Sequence, residues 1–246
     1  MKKTAGEYIM ENMSEVLRAT KLFQDIPHEI LQEYVIPKGT VSHFAKGSCL
    51  FSTQERVDTI KIVLRGKINI VYYYADGSYS LASTVLPLRV LGLDLIATRS
   101  RISPYFAIAA EPSEIFSLPA DAVLRPGDIP ENARQLMLSQ LLIMLSHFHL
   151  QKEKHLMVLS RNGLRDRIMT YLSLQAQQKK TFSFSIPFSR EEMAAYLCVN
   201  RSALSHELSL MREEGWIDFS KNRFTLLKYE QAEIASDSLG HGKKYD

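Results

Sequence analysis

The spacing of apolar residues changes along the chain from a helical period to a strand period and back. Residues 7–31 carry apolar side chains three and four apart, which predicts amphipathic helical segments near the N-terminus. Residues 40–119 alternate between apolar and polar side chains, which predicts short β-strands. Helical spacing returns at residues 131–160 and again after residue 189. The chain is therefore predicted to be an α+β protein.

Glycines and turn residues divide the alternating region into short strands. Tyr72–Tyr74 and Tyr79–Leu81 flank the sequence Ala-Asp-Gly-Ser at residues 75–78, which is typical of a hairpin. Many short strands with regular turns predict an antiparallel β-roll of the jelly-roll or cupin kind. The three consecutive tyrosines either line a pocket or are ordinary strand residues, since aromatic residues favour strands.

Residues 131–160 are predicted to form one long helix with two neighbouring apolar seams. The first seam contains Met137, Leu141, Met144 and Phe148. The second contains Leu138, Leu142, Leu145, Leu156 and Leu159. Two seams exceed what one packed face needs, so we expect one to cover the β-roll and the other to pair with the same helix of a second chain. Burial of the whole helix in a monomer is the alternative.

Residues 189–214 are predicted to form two short helices joined by a tight turn. Ser189 followed by Glu192 is a capping box at the start of the first helix. Cys198, Val199 and Asn200 make the turn, and Asn200 is a good N-cap for the second helix. The alternative is an ordinary amphipathic helix pair. It would show the same apolar spacing, but its caps, turn and stop signals would not all indicate the same motif.

The second helix of this pair has one apolar and one polar face. Leu204, Leu208 and Met211 fall on one side, and hydrogen-bonding side chains lie near the N-terminus on the other. Gly215 is expected to end the helix. Two strands around a turn at residues 220–222 should follow, which together predict a winged helix-turn-helix.

This stretch resembles the DNA-binding domain of the Crp/Fnr family of bacterial transcription regulators. The matching residues are Arg190, Glu192, Met193, Ala194, Leu197, Arg201, Ser202, Ala203, Leu204, Ser205, His206 and Leu208. The chain departs from the family pattern at three positions. A turn position that is often Gly is Cys198, a recognition-helix Glu is Ser202, and a frequent Arg is His206. The DNA target of the best-known members therefore does not carry over.

The resemblance implies which residues contact DNA. Base edges would be read by Arg201, Ser202, Ser205 and His206. Phosphates would be held by Ser189, Arg190, Asn200, Lys221 and Arg223. The implied partners are double-stranded DNA with a palindromic operator and a second copy of the chain, and the resemblance also allows RNA polymerase.

Residues 44–48, 64–68 and 107–119 resemble strands of the cyclic-nucleotide-binding β-roll, but the charged ligand contacts of that domain are missing. The family's Gly-Glu pair is Gly92-Leu93 here, and its Arg-Ser pair is Ser103-Pro104. A buried phosphate needs such partners, so we expect a different small molecule or no ligand. Candidate pocket residues are Tyr72, Leu93, Arg99, Met137 and Leu141.

Composition and charge agree with a globular regulator and give no sign of an enzyme. The 246 residues are 46% hydrophobic and 23% charged, with a net charge of +3. No run of about 20 apolar residues predicts a membrane span, and no signal peptide is recognisable, so a cytoplasmic protein without membrane partners is expected. The P-loop, nucleophile-elbow, zinc-protease and dinucleotide-binding motifs are all missing from the sequence.

No cofactor or metal site is predicted. Cys49 and Cys198 are too few for a disulfide framework or a four-cysteine cluster, and nothing near Cys49 predicts a reactive thiol. His147 and His149 point to different sides of a helix, and no cysteine or carboxylate completes a ligand set with them or His155.

The predicted domains are a sensory β-roll at 1–130, a dimerisation helix at 131–160, a winged helix-turn-helix at 161–236 and a flexible tail at 237–246. The favoured function is a dimeric, sequence-specific transcription regulator controlled by an unidentified signal. A ligand-binding regulatory module that acts through a protein partner is the alternative, and the winged C-terminal domain argues against it.

Overall fold

A computed structural model describes residues 13–228 of the chain. Two compact units divide it, Met1–Leu150 and Gln151–Asp246. The predicted helical residues 7–12 and the predicted tail at 237–246 lie outside the described residues. The boundary between the units falls inside a long helix, so the four domain ranges expected from the sequence stay predictions.

The first unit contains a β-roll whose strands pair in a nested order. Strand β1 pairs with β8, β2 with β7, β3 with β6 and β4 with β5, all antiparallel. Two four-stranded sheets result, ordered β1-β8-β3-β6 and β2-β7-β4-β5. This nesting is the jelly-roll arrangement, so the predicted antiparallel roll is confirmed. The strands are β1 Thr40–Phe44, β2 Cys49–Phe51, β3 Thr59–Arg65, β4 Ile68–Tyr73, β5 Tyr79–Val85, β6 Val90–Leu91, β7 Phe106–Ala109 and β8 Ser113–Pro119.

Turns at two glycines set the register of the roll. Gly77 has a φ of 81° in the β4–β5 hairpin, and the Ser78 N–H donates to Asp76 Oδ1 at 2.9 Å. Gly66 has a φ of 87°, and a Cβ added there would lie 2.5 Å from the Pro112 carbonyl oxygen. Only glycine fits the Gly66 turn without moving the chain.

Two apolar clusters lie on opposite faces of the β1-β8-β3-β6 sheet. The inner cluster fills the space between the two sheets and contains Phe51, Val57, Val63, Ile68, Ile70, Leu91, Leu95, Tyr105, Ala107, Ala109 and Ile115. The outer cluster packs helices on the other face of that sheet and includes Leu22, Phe23, Leu31, Val35, Ile60, Ile62, Leu93, Phe116, Leu118, Met137 and Leu141.

The N-terminal helical region differs in detail from the prediction. Residues 13–18 are helical, and a 3-10 turn follows at Lys21–Phe23. Asp25 has a φ of 70°, and helical backbone resumes after Pro27 and continues to Lys38. The helical region extends beyond the predicted end at residue 31 because Leu31 and Val35, one turn apart, are both buried in the outer cluster.

Three helices follow within or after the roll. The short helix α1, Leu93–Ile96, follows Gly92, whose φ is 76°. Helix α2 covers Ala120–Leu124, and α3 covers Glu131–Leu159. The predicted long helix is therefore confirmed, and Met137, Leu141 and Met144 of its first seam pack in or against the outer cluster. Met137 is fully buried and Leu141 is 8% exposed in the outer cluster.

The second unit contains helices α4 Leu164–Lys179, α5 Arg190–Tyr196 and α6 Arg201–Glu213. A three-stranded antiparallel sheet, ordered β10-β11-β9, completes it. Its strands are β9 Ser183–Ser185, β10 Ile217–Ser220 and β11 Arg223–Leu226. Helices α5 and α6 with the β10–β11 hairpin form the predicted winged helix-turn-helix.

Candidate nucleic-acid interface

A reciprocal capping box starts helix α5. Ser189 Oγ accepts from the Glu192 N–H at 3.2 Å, and Glu192 Oε2 accepts from the Ser189 N–H at 2.7 Å. Glu192 is 9% exposed, so the box is largely shielded from water. The first helix of the motif is thereby fixed at the predicted residue.

The turn between α5 and α6 places Cys198 in the left-handed region, with a φ of 55°. Glycine adopts this conformation without strain, which explains why the family often has glycine at this position. The Cys198 side chain is exposed at the surface of the turn. Partial burial raises the pKa of the Cys198 thiol, which lowers its thiolate fraction and its reactivity.

Helix α6 has one fully buried face and one exposed face. Leu204, Leu208 and Met211 have no exposed surface. The four predicted base-reading residues are all exposed, and they are Arg201, Ser202, Ser205 and His206. Asn200 caps the helix by accepting from the Ala203 N–H at 2.7 Å, and the Ser202 hydroxyl donates to the same Asn200 oxygen at 2.8 Å.

The wing is attached to α5 through Arg190. Its guanidinium lies 5.0 Å from the Phe219 ring and 5.6 Å from the Phe224 ring, and it donates to the Lys221 carbonyl at 3.2 Å. Burial, and then the nearby charge of Arg201, lowers the pKa of Arg190. Arg190 and Arg201 therefore concentrate positive charge where α5, α6 and the wing meet.

Further basic residues lie on the wing or pack against it. Arg212 stacks on Phe219 at 5.0 Å. Lys221 and Arg223 are exposed at the β10–β11 turn, where Lys221 has a φ of 52°. The predicted phosphate-contacting residues of α5, α6 and the wing thus belong to one compact unit.

Side chains from preceding helices cap the C-terminal end of α5. His155 Nε2 lies 2.8 Å from the Tyr196 carbonyl oxygen, and its ring stacks on the Tyr196 ring at 3.8 Å. Arg167 donates to the next carbonyl, that of Leu197, at 3.2 Å. These contacts hold the backbone just before the Cys198 turn.

An ion-pair cluster fixes the other end of α6. Arg165 makes two hydrogen bonds to Glu214, at 2.6 and 2.9 Å, and one to Glu207 at 2.6 Å. The Arg165 hydrogen bonds lower the pKa of the Glu214 carboxyl. The two-point geometry makes this a well-defined attachment of α4 to α6.

The predicted effector residues do not form one site. Tyr72 packs against the inner cluster, whereas Leu93, Met137 and Leu141 lie in the outer cluster on the other face of the sheet. Arg99 is exposed. The sequence could not separate these positions because strand alternation gives relative faces and not the stacking of helices on them.

Tyr105, which the sequence did not single out, occupies the inside of the roll. The side chain is 3% exposed, and its ring centroid lies 5.9 Å from Phe51 and 6.1 Å from Tyr72. Its hydroxyl donates to Asp94 Oδ1 at 2.6 Å. Burial, and then the Asp94 charge, raises the pKa of Tyr105, so the phenol is a neutral donor.

Helix α3 exposes an apolar stripe that the two predicted seams missed. Leu136, Ile143, Leu150 and Met157 recur every seven residues and are 39 to 54% exposed. Of the second predicted seam, Leu142 and Leu156 are 67% and 62% exposed, whereas Leu138 and Leu145 pack against the outer cluster. The seven-residue repeat was the sequence signal for this stripe.

The described residues contain neither a cluster of metal ligands nor a membrane-spanning helix. Within residues 13–228, no group of three or more His, Cys, Asp or Glu side chains could hold a metal ion. No helix in the same range is both long and apolar enough to cross a bilayer. Burial, and then the Glu55 charge, raises the pKa of the Cys49 thiol.

The fold and the exposed helix define a helix-turn-helix transcription regulator with a cyclic-nucleotide-binding-like domain. A cyclic nucleotide-binding domain model matches residues 41–125, and a Crp-like helix-turn-helix domain model matches residues 166–231. The chain is 25% identical over 214 residues to the nitrogen fixation regulation protein FixK of Azorhizobium caulinodans, covering 84% of this chain and 82% of FixK. The chain belongs to the Crp/Fnr family of transcription regulators.

Solved structures share the fold. FixK2 from Bradyrhizobium japonicum superposes with a TM-score of 0.60 at 17% identity, covering 80% of this chain and 96% of FixK2. CLP of Xanthomonas campestris, described as a c-di-GMP responsive global regulator, gives 0.62 at 14% identity, covering 77% of this chain and 94% of CLP. The relatives are regulators, which agrees with the expectation that this chain is not an enzyme.

Proposed function

We propose that this protein is a dimeric, sequence-specific DNA-binding regulator that reads its operator with α6. The observation that carries the proposal is the two-sided character of this helix. Its apolar face is fully buried, and its polar face is exposed from the capped N-terminus onward. A recognition helix needs this arrangement to enter the major groove without unfolding its domain.

Arg201 is the proposed reader of a guanine. It is the first residue of α6 and is exposed, and a guanidinium can donate two hydrogen bonds to the O6 and N7 atoms of guanine. Ser205 and His206 follow one turn later on the exposed side, where they would contact neighbouring bases. Ser202 would act beside them, and its hydroxyl is already oriented by Asn200.

The phosphate contacts would surround this helix. Ser189 and Asn200 stand at the N-termini of α5 and α6, where unpaired backbone N–H groups favour a phosphate. Lys221 and Arg223 would follow the DNA backbone from the wing. Arg190 would contribute its remaining N–H groups while its stacking on Phe219 holds the wing in place.

The second copy would pair through α3, the dimerisation helix predicted at 131–160. The stripe of Leu136, Ile143, Leu150 and Met157 has the seven-residue period of a coiled-coil seam. Ser139 and Ser146 lie three residues after stripe positions and satisfy their hydroxyls within the helix, at 3.0 and 2.9 Å. Small, satisfied side chains there let two helices approach closely, and Leu142 and Leu156 would flank the contact.

A two-fold dimer would present two α6 helices to successive major grooves roughly 34 Å apart, which explains the expected palindromic operator. A signal molecule that binds the roll would change the affinity of the dimer for DNA only if the molecule binds the two arrangements of the dimer unequally. The control step is therefore an equilibrium between arrangements, and the roll would bias it.

The experiment that tests this proposal is selection of duplexes from a random pool by the full chain, followed by fluorescence anisotropy against the selected duplex. We expect a palindromic consensus and an affinity that falls as salt rises, because phosphate contacts release counterions. Equal affinity for the selected duplex and for scrambled DNA at every salt concentration would refute sequence-specific binding.

A further inference from the structure

A row of polar side chains crosses the inner face of one sheet of the roll. Thr40 on β1 pairs with Ser117 on β8, and Ser117 pairs with Lys61 on β3. Residues directly opposite on neighbouring strands project to the same face of a sheet. The three side chains therefore lie side by side across three strands.

This row faces the space between the two sheets. Val63 and Ile115 are paired two residues further along β3 and β8, and both belong to the inner cluster. Side chains two apart on a strand share a face, so Lys61 and Ser117 project the same way as these residues. The intervening residues, Ile62 and Phe116, belong to the outer cluster, which fixes the assignment independently.

The ammonium of Lys61 has a weak set of partners in this position. Its Nζ lies 3.4 Å from Ser117 Oγ, which is long for a hydrogen bond to a charged donor. Among residues 13–228 no carboxylate lies within ion-pair distance of it. Burial lowers the pKa of Lys61 and the more remote charge of Glu55 raises it in part. A half-buried ammonium without a carboxylate at ion-pair distance favours the entry of an anion.

The positions that match the family's charged ligand contacts carry no charge in this chain. Leu93 stands where the family has Glu, and its side chain is 8% exposed in the outer cluster. Ser103 is fully buried and donates to the Tyr105 carbonyl at 2.7 Å. The Tyr105 ring fills the neighbouring interior. Lys61 on β3, in contrast, places a cation on the inner face of the sheet.

We propose that Lys61, with Ser117 and Thr40, forms a binding site for the negatively charged group of a small organic anion inside the β-roll. Lys61 would supply the charge and Ser117 a hydroxyl donor. Thr40 is exposed on the edge strand β1, so the row opens to solvent at that end. Leu91, directly opposite Lys61 on β6, and Val63 would contact the apolar part of the ligand.

A small organic anion bound at this site would be the signal that controls the regulator. That regulatory role rests on the proposed function. The binding itself does not depend on DNA. A direct test therefore measures anion binding to the full chain without DNA, and a separate anisotropy titration measures DNA binding of the same preparations.

Benzoate and inorganic phosphate are suitable probes, with benzyl alcohol as a neutral counterpart of benzoate. Wild-type protein should show a saturable rise in melting temperature with benzoate, and isothermal titration should give one site per chain. Lys61→Met, which keeps the apolar stem, should weaken benzoate binding about tenfold or more, and Lys61→Arg should retain most of it. Lys46→Met, at an exposed turn residue, should bind like wild type.

Competitive amine labelling gives a readout at the residue itself. Saturating benzoate should slow modification of Lys61 and leave Lys46 unchanged. Equal binding by wild type and Lys61→Met, stronger binding of benzyl alcohol than of benzoate, or no binding of either anion would overturn the proposal. Anion binding at Lys61 by a chain that fails to bind DNA would leave this site standing and refute only the regulatory role.

Discussion

His155 on α3 stacks face to face on Tyr196 of α5, with ring centroids 3.8 Å apart and an interplanar angle of 11°. The same imidazole lies 2.8 Å from the Tyr196 carbonyl through Nε2. A carbonyl oxygen only accepts hydrogen bonds, so Nε2 carries the proton and donates. The end of α3 therefore holds the C-terminus of the first helix of the DNA-binding motif by a ring contact and a hydrogen bond.

Removing this contact should destabilise the second unit. We expect His155→Ala to lower the free energy of unfolding by about 1–3 kcal/mol, because it removes one hydrogen bond and one aromatic pair. Urea denaturation followed by the fluorescence of Trp216, which lies in this unit, measures the change. His147→Ala, at an exposed residue of the same helix, should change it by less than about 0.5 kcal/mol. Equal effects of both variants would contradict a structural role for the stack.

Arg201 should separate specific from non-specific DNA binding. We expect Arg201→Ala to cost about 1–3 kcal/mol on the selected operator and little on scrambled duplex, because a bidentate guanine contact carries sequence information. Lys221→Ala is the matched comparison at an exposed wing residue. It should weaken both duplexes equally and reduce the slope of log affinity against log salt by about 1. Anisotropy over a salt series distinguishes the two. A uniform loss for Arg201→Ala would make it a phosphate contact only.

Cys198 should be the strained residue of the helix-turn-helix. Its φ of 55° costs a non-glycine residue about 1 kcal/mol or more, and glycine avoids that cost while adding unfolded-chain entropy. We expect Cys198→Gly to be neutral or to stabilise by up to about 1 kcal/mol, and Cys198→Val to destabilise by more than about 1 kcal/mol, because branching at Cβ crowds this conformation. Thermal unfolding of the three proteins under reducing conditions measures this order. A more stable Val variant would contradict it.

The sequence predicted best where local rules decide the structure. The capping box at Ser189, the cap at Asn200 and the hairpin at Gly77 were correct because each depends on a few neighbouring residues. It predicted less well where packing of distant elements decides. The outward stripe of α3 was missed because Leu138 and Leu145 look equivalent to Leu142 in spacing, and only the roll beneath them buries the first two. Tyr105 was missed because strand alternation does not show what fills the space between two sheets.

The stripe on α3 should control the oligomeric state. We expect Ile143→Lys to weaken dimerisation roughly 100-fold or more, because two ammonium groups would be buried close together at the seam. Ile143 is 48% exposed in the single chain, so the substitution should leave each unit folded. Gln151→Lys adds the same charge one position beyond stripe residue Leu150 and should remain dimeric. Sedimentation velocity over a concentration series decides this, and a dimer of unchanged affinity in Ile143→Lys would exclude the stripe as the interface.

Lys61 should give the protein a specific dependence of stability on pH. Burial lowers its pKa in the folded state below the usual value of 10.5. Between the lowered pKa and 10.5 the unfolded chain therefore binds more protons than the folded chain, so the Lys61 contribution to stability rises with pH in that window. Below the lowered pKa both states are charged and the full cost of burying the ammonium is present.

We expect Lys61→Met to be more stable than wild type at neutral pH, and the difference in stability to shrink as the pH approaches 10.5. Urea denaturation of both proteins between pH 7 and 10.5 measures it, since other titrating groups cancel in the difference. Lys46→Met, at an exposed turn residue, is the control for loss of a lysine charge elsewhere on the roll. A pH-independent difference for Lys61→Met would mean that the Lys61 ammonium is as well solvated in the folded protein as in the unfolded chain.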